Sequence, residues 1–196
     1  MNPLFSKLSP SITSMIRMDH THVLTAFHQF EADTPAKTRQ ALANTICLAL
    51  EIHAQLEEEI FYPAMRELAP EGLLVGKSVP EHDEMRRLIA QLRGMQAGDE
   101  AFDSTLMELM RDVMHHVADE ETTLLPAAER LLGPQRLGEM GAQMTKRRLE
   151  LSAPRAGEIA ANTMRSIPTS TMLVGAGAFL AGTYVLRRAF ERRVGA

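Results

Sequence analysis

His53 and Glu57 stand four residues apart, as do His116 and Glu120, and each pair is followed at the same distance by a proline, Pro63 and Pro126. In a helix, positions i and i+4 lie one turn apart on one face, so each pair aims an imidazole and a carboxylate at one point. That is a metal-ligand spacing, and its donors suit iron better than calcium or magnesium, although zinc and manganese accept the same groups. Two further histidines precede the pairs: His20 lies 33 residues before His53, and His82 lies 34 before His116. The separations His53 to His116, Glu57 to Glu120 and Pro63 to Pro126 are each 63 residues, so the repeated unit is a whole two-helix hairpin.

Two such hairpins packed together make an all-α protein, an antiparallel four-helix bundle with one histidine from each helix and one glutamate from each of two helices facing the axis. Four imidazoles and two carboxylates exceed the needs of one ion and suit two. A metal-free structural bundle is disfavoured, because burying two carboxylates without cations is prohibitively costly.

With the motifs written out, Asp19-His20, His53-x3-Glu57-Glu58-x4-Pro63, Glu81-His82 and His116-x3-Glu120-Glu121-x4-Pro126, the chain resembles the hemerythrin-like family with its HHE cation-binding domain. The resemblance covers roughly residues 12–150. It implies a non-haem centre of two iron ions, bridged by Glu57 and Glu120, with His20, His53, His82 and His116 as the remaining metal ligands. The implied function is a protein that binds or senses oxygen, nitric oxide or iron, its partner a small diatomic molecule or peroxide. The alternative is a di-iron oxidoreductase acting on peroxide or nitric oxide, or a repair protein for iron–sulfur centres. One position departs from the oxygen carriers of the family, which have a further histidine one turn after the third-helix histidine; here it is Arg86. Arg86 either reaches solvent or, with Leu24, Ile60 and Leu124, lines a pocket for an exogenous ligand.

Neighbouring polar residues have weaker claims. Glu58, Glu59 and Glu121 are expected to be solvated or to stand behind the ligands, and Asp19, Glu81 and Asp119 point about 100° away from the ligands they adjoin. His115 lacks the four-residue relation to Glu120 that His116 has, and His22 and His28 read as ordinary histidines.

The elements that must carry these side chains follow from apolar spacing and punctuation. Ser11 or Ser14 caps a first helix to about Glu31, with Ile16, His20, Val23, Leu24 and Phe27 on one stripe. A second helix runs from Pro35 to about Leu68, with Pro63 expected to kink or shorten it. Val79-Pro80 opens a third helix that ends at Gly94, and Asp99 caps a fourth. An arm continues over residues 127–132 and 134–149, and Ala153 begins a less patterned linker. Residues 1–150 therefore form the bundle with its arm, and 151–196 a linker and tail.

The composition agrees: 45% hydrophobic residues, 5% aromatic, thirteen Met and no Trp suit a helical core rather than a sandwich of aromatic strands. The single Cys47 excludes an internal disulfide framework and fits a reducing compartment, with burial as its expected role. No secretory signal is apparent at the N-terminus, so a cytoplasmic location is expected. The net charge of −4 conceals an asymmetry, because residues 146–196 hold nine of the 21 basic side chains and three of the 25 acidic ones. The acidic bundle argues against a nucleic-acid partner. Residues 167–186 carry no charge and are followed by Arg187, Arg188, Arg192 and Arg193, so the tail is a candidate for membrane association, through a spanning helix or a basic segment on the inner leaflet. The other reading is an apolar segment that packs on the bundle or joins two chains as a homo-oligomer.

Overall fold

The computed structural model describes residues 10–31, 33–68 and 75–166, and among them every regular element is helical. The tail over 167–186 lies outside the described residues; among those described, no helix is long and apolar enough to cross a membrane.

The first helix, α1 (Ile12–His28), is capped by Ser11, whose hydroxyl accepts a hydrogen bond from the Ser14 amide. α2 (Ala36–Leu56) follows Pro35. It leads without a break into a π turn (Glu57–Phe61) and then α3 (Tyr62–Leu68). The shortening expected at Pro63 therefore does not occur. In the π turn the Tyr62 amide bonds to the Glu57 carbonyl five residues back, and this one-residue shift of the ladder accommodates a proline without an N–H. The second repeat does the same: α5 (Phe102–Asp119) passes through a π turn (Glu120–Leu124) into α6 (Leu125–Ser152), and the Leu125 amide bonds to the Glu120 carbonyl. Both wide turns begin on the glutamate of the repeated motif.

Two helix starts differ from expectation. α4 (Val75–Arg93) already includes Val75 and Ser78, both buried, so packing extends it back past Pro80, which sits within its second turn. Asp99 does not cap α5: its carboxylate accepts from the Gln96 amide and closes the preceding turn, and the first residue before the helix is Ala101. Gly133 divides α6 where φ is +69°, a conformation that suits glycine. Beyond Ser152 the linker reading also gives way, since a short 3-10 turn (Ala153–Arg155) leads into α7 (Ala156–Ser166), which packs on α2 and buries Asn162. Ile159 and Met164 remain exposed on it.

The core has two apolar halves. One gathers Val23, Phe27, Ile46, Leu50, Leu88, Phe102 and Leu109; the other gathers Ile12, Ile16, Leu56, Phe61, Met65, Leu124 and Met140. Each buried Leu, Ile or Phe contributes about 1.5–3 kcal/mol. Cys47 is buried in the first half, and burial pushes its thiol up to about 12. Buried among these apolar residues, and contributed by the four long helical runs of the bundle, are His20, His53, Glu57, His82, His116 and Glu120.

Candidate metal centre

All six side chains named from the repeat come together. Glu57 and Glu120 are 0% and 1% exposed, and no histidine of the four exceeds 5%. The Nε2 of His20 lies 3.4 Å from Glu120, and the Nε2 of His53 lies 3.3 Å from Glu57. On the other side the Nε2 of His82 is 3.4 Å from Glu57, and that of His116 is 3.9 Å from Glu57 and 3.7 Å from Glu120. Both carboxylates thus touch histidines of both halves. Ligand atoms bonded at 2.0–2.2 Å to one ion stand about 3 Å apart, close to these separations.

The hydrogen-bond inventory points to an ion as well. His20 Nε2, His53 Nε2, Glu57 Oε1 and Glu120 Oε2 are buried without a hydrogen-bond partner. Leaving such atoms bare costs about 1–3 kcal/mol each. These residues, His20, His53, Glu57 and Glu120, form one potential ligand group, and Glu57, His82 and His116 form a second that shares Glu57. The residues present therefore fit bound metal. Glu57 is held well below the usual carboxylate range: burial opposes this, but the charge of His53 and hydrogen bonds from His116 and His82 outweigh it.

Each histidine is held from behind. Nδ1 of His20 bonds to Glu121 at 2.9 Å, that of His53 to Asp19 at 3.3 Å, that of His82 to Glu58 at 2.8 Å and that of His116 to Glu81 at 2.8 Å. A carboxylate accepting at Nδ1 keeps the proton there and leaves the Nε2 lone pair for a cation. The four carboxylates adjoin ligands in sequence but serve histidines on other helices, a crossing that spacing along one helix does not reveal. Glu59 instead pairs with Arg147 on the surface, Asp119 bonds to none of the four histidines, and His22, His28 and His115 are exposed.

Tyr62 is the residue that sequence reasoning missed. It is fully buried, and its hydroxyl lies 3.0 Å from Glu57, 2.9 Å from Glu120 and 3.3 Å from His82 Nε2. Burial and the two glutamate charges push its pKa up, so it stays a protonated donor in this environment. Its place five residues after Glu57, one turn on, was the available signal.

On the histidine side a cavity of about 20 Å³ is lined by Val23, Leu50, Met85, Ile89 and Val113 together with the four imidazoles. That is room for about one water-sized molecule. Of the four pocket residues expected from spacing, Arg86 lines this cavity; Leu24, Ile60 and Leu124 pack into the apolar clusters instead. Arg86 both reaches solvent and borders the cavity, with its guanidinium on Glu58 at 2.7 Å and Asp83 at 3.0 Å.

The hemerythrin HHE cation-binding domain model matches residues 11–128, more than half of the chain. The chain belongs to that family. A solved relative by shape, a hemerythrin HHE cation-binding-domain protein from Mycobacterium kansasii, aligns with a TM-score of 0.65 at 19% identity, covering 81% of this chain and 99% of that one. It supports the hemerythrin fold. A protein from Nostoc sp. named DNA nickase is 32% identical over 121 residues, which is 62% of this chain and 34% of the relative, so the chain spans about a third of that protein's length. As a member of the HHE family the chain is a cation-binding helical bundle, and its buried His and Glu cluster could hold a metal ion.

Proposed function

We propose that the centre holds two iron ions, one on His20 and His53 and the other on His82 and His116, with Glu57 and Glu120 spanning both. The supporting observation is the pair of glutamates, each within 4 Å of histidines from both halves. Iron bound there would supply a redox-active centre able to take a small exogenous ligand. The chain's own residues do the rest: the four Nδ1–carboxylate bonds orient the rings, and Tyr62 donates a hydrogen bond at the carboxylate layer. Val23, Leu50, Ile89 and Val113 keep bulk water from the histidine face.

The cavity supports a small ligand. At about 20 Å³ it has room for about one water-sized molecule. This favours a protein that binds or senses oxygen or nitric oxide, or buffers iron, over one acting on a larger compound. Anaerobic optical titration of the reduced, iron-loaded chain with oxygen, nitric oxide and peroxide tests it. A stable spectral change with stoichiometric consumption is the expected result. Sustained consumption of peroxide or nitric oxide would make the protein an oxidoreductase and overturn the sensing assignment.

A further inference from the structure

The arm beyond the bundle reaches one of the histidines through a single intermediary. Arg148, on α6, places Nη1 and Nη2 at 2.5 and 2.6 Å from the two oxygens of Asp19, and the same carboxylate accepts from His53 Nδ1. Asp19 is only 14% exposed, and burial alone would raise its pKa; the bonds from His53 and Arg148 outweigh that and lower it. The neighbouring Arg147 also ties the arm down, but to Glu59, which bonds to none of the four histidines. The arm is docked independently of both pairs, because Leu137, Met140 and Met144 are buried in the second apolar cluster.

We propose that Arg148 is a positioning residue that links the docking of the C-terminal arm to occupancy of the His20–His53 half of the centre. This rests on the metal-binding function proposed above and adds what that function does to the rest of the chain. His53 would be held in place if its Nε2 took part in binding an ion; its Nδ1 would then orient the Asp19 carboxylate, which presents both oxygens to the planar guanidinium. Linkage is reciprocal, so whatever loosens the arm also changes the hold on the metal. Arg148 lies beyond the stretch matched by the family model, which ends at residue 128.

The test is amide hydrogen exchange on the full chain, metal-free and loaded anaerobically with iron(II), for peptides covering residues 141–152, with metal content measured on the same samples. Metal should slow exchange there at least about five-fold in the wild type and less than about two-fold in Arg148→Met. Arg148→Lys should restore part of the effect, and Arg147→Met should keep it, because Arg147 anchors the same helix without reaching a histidine. If Arg148→Met does not fold, Asp19→Asn breaks the same ion pair from the other side and should show the same loss. Equal metal dependence in wild type and Arg148→Met, or equal loss in Arg147→Met, overturns the proposal while leaving the metal site standing. Less than about one metal per wild-type chain overturns the site and this linkage together.

Discussion

The Tyr62 hydroxyl lies 2.9 Å from Glu120 Oε1 across the bundle, so a residue of the first repeat satisfies a buried carboxylate of the second. The position equivalent by the 63-residue repeat is Leu125, which has no hydroxyl to return the contact. Tyr62→Phe removes the donor and keeps the ring's packing. The metal-free variant should lose about 1–3 kcal/mol of stability, the penalty of a buried carboxylate left without its donor. The metal-loaded variant should lose less, because a cation on Glu120 compensates. Denaturant melts of both forms measure the difference: no loss in either form would show that Tyr62 serves packing alone, and equal losses would show that no cation relieves Glu120.

The glutamates of each motif should separate by role. Glu57→Ala and Glu120→Ala remove groups that face histidines of both halves, and each should reduce metal content by about one ion per chain. Glu58→Ala and Glu121→Ala take away only the acceptors behind His82 and His20, so these variants should load fully yet bind about 10–100-fold more weakly in competition with a chelator. Equal metal loss in all four would shift the assignment of ligands by one residue.

The six facing side chains were legible because a duplicated spacing and the helical period act together: i and i+4 fix a face, and the 63-residue repeat shows that the face is used twice. What stands behind them was not legible. Asp19, Glu58, Glu81 and Glu121 reach histidines on other helices, and which helix lies within reach depends on packing, not on spacing along one chain segment. The same reason hid the cavity: Leu24, Ile60 and Leu124 are one turn from ligands along their helices, yet packing turns them into the apolar clusters and leaves Val23, Leu50, Met85 and Ile89 at the opening. Pro63 misled in another way, since a proline reads as a break only while the ladder is strictly α, and the π turn beginning at Glu57 changes that register.

The arm's docking depends on one close backbone approach. A Cβ on Gly141 would stand 2.0 Å from the Pro10 carbonyl oxygen and 3.1 Å from the Ile12 amide nitrogen, both backbone atoms at the start of α1. Neither can yield without moving the capped end of that helix. Gly141→Ala, which would otherwise favour helix, should therefore destabilise the protein by about 1–3 kcal/mol. A thermal melt of the variant unchanged from wild type would show that α6 can withdraw from α1 at no cost.

Protons and metal compete for the same nitrogens, and the sign of that competition follows from the metal-free site. Burial alone would lower the His116 pKa, but hydrogen bonds to Glu57 and Glu81 and the charge of Glu120 raise it to about 10. His20 is raised as well, its burial outweighed by Glu120 and Glu57. A folded pKa above the ordinary 6.5 means that this stabilisation is fully present below pH 6.5 and is lost as pH rises through about 10. Glu57, held well below 4.5, contributes in the opposite sense: its share is present above 4.5 and disappears as pH falls. For these groups the metal-free chain is therefore most stable between about pH 4.5 and 6.5. A cation needs the Nε2 lone pairs, so binding at about pH 8 must displace the proton that His116 still holds. Adding iron(II) or zinc to the metal-free chain in weak buffer with an indicator dye should release at least about one proton per chain, and apparent affinity should climb with pH from 6.5 towards 10. Metal uptake without proton release would mean that the imidazoles are already neutral in the metal-free protein, and the charge pairing described for His116 would be wrong.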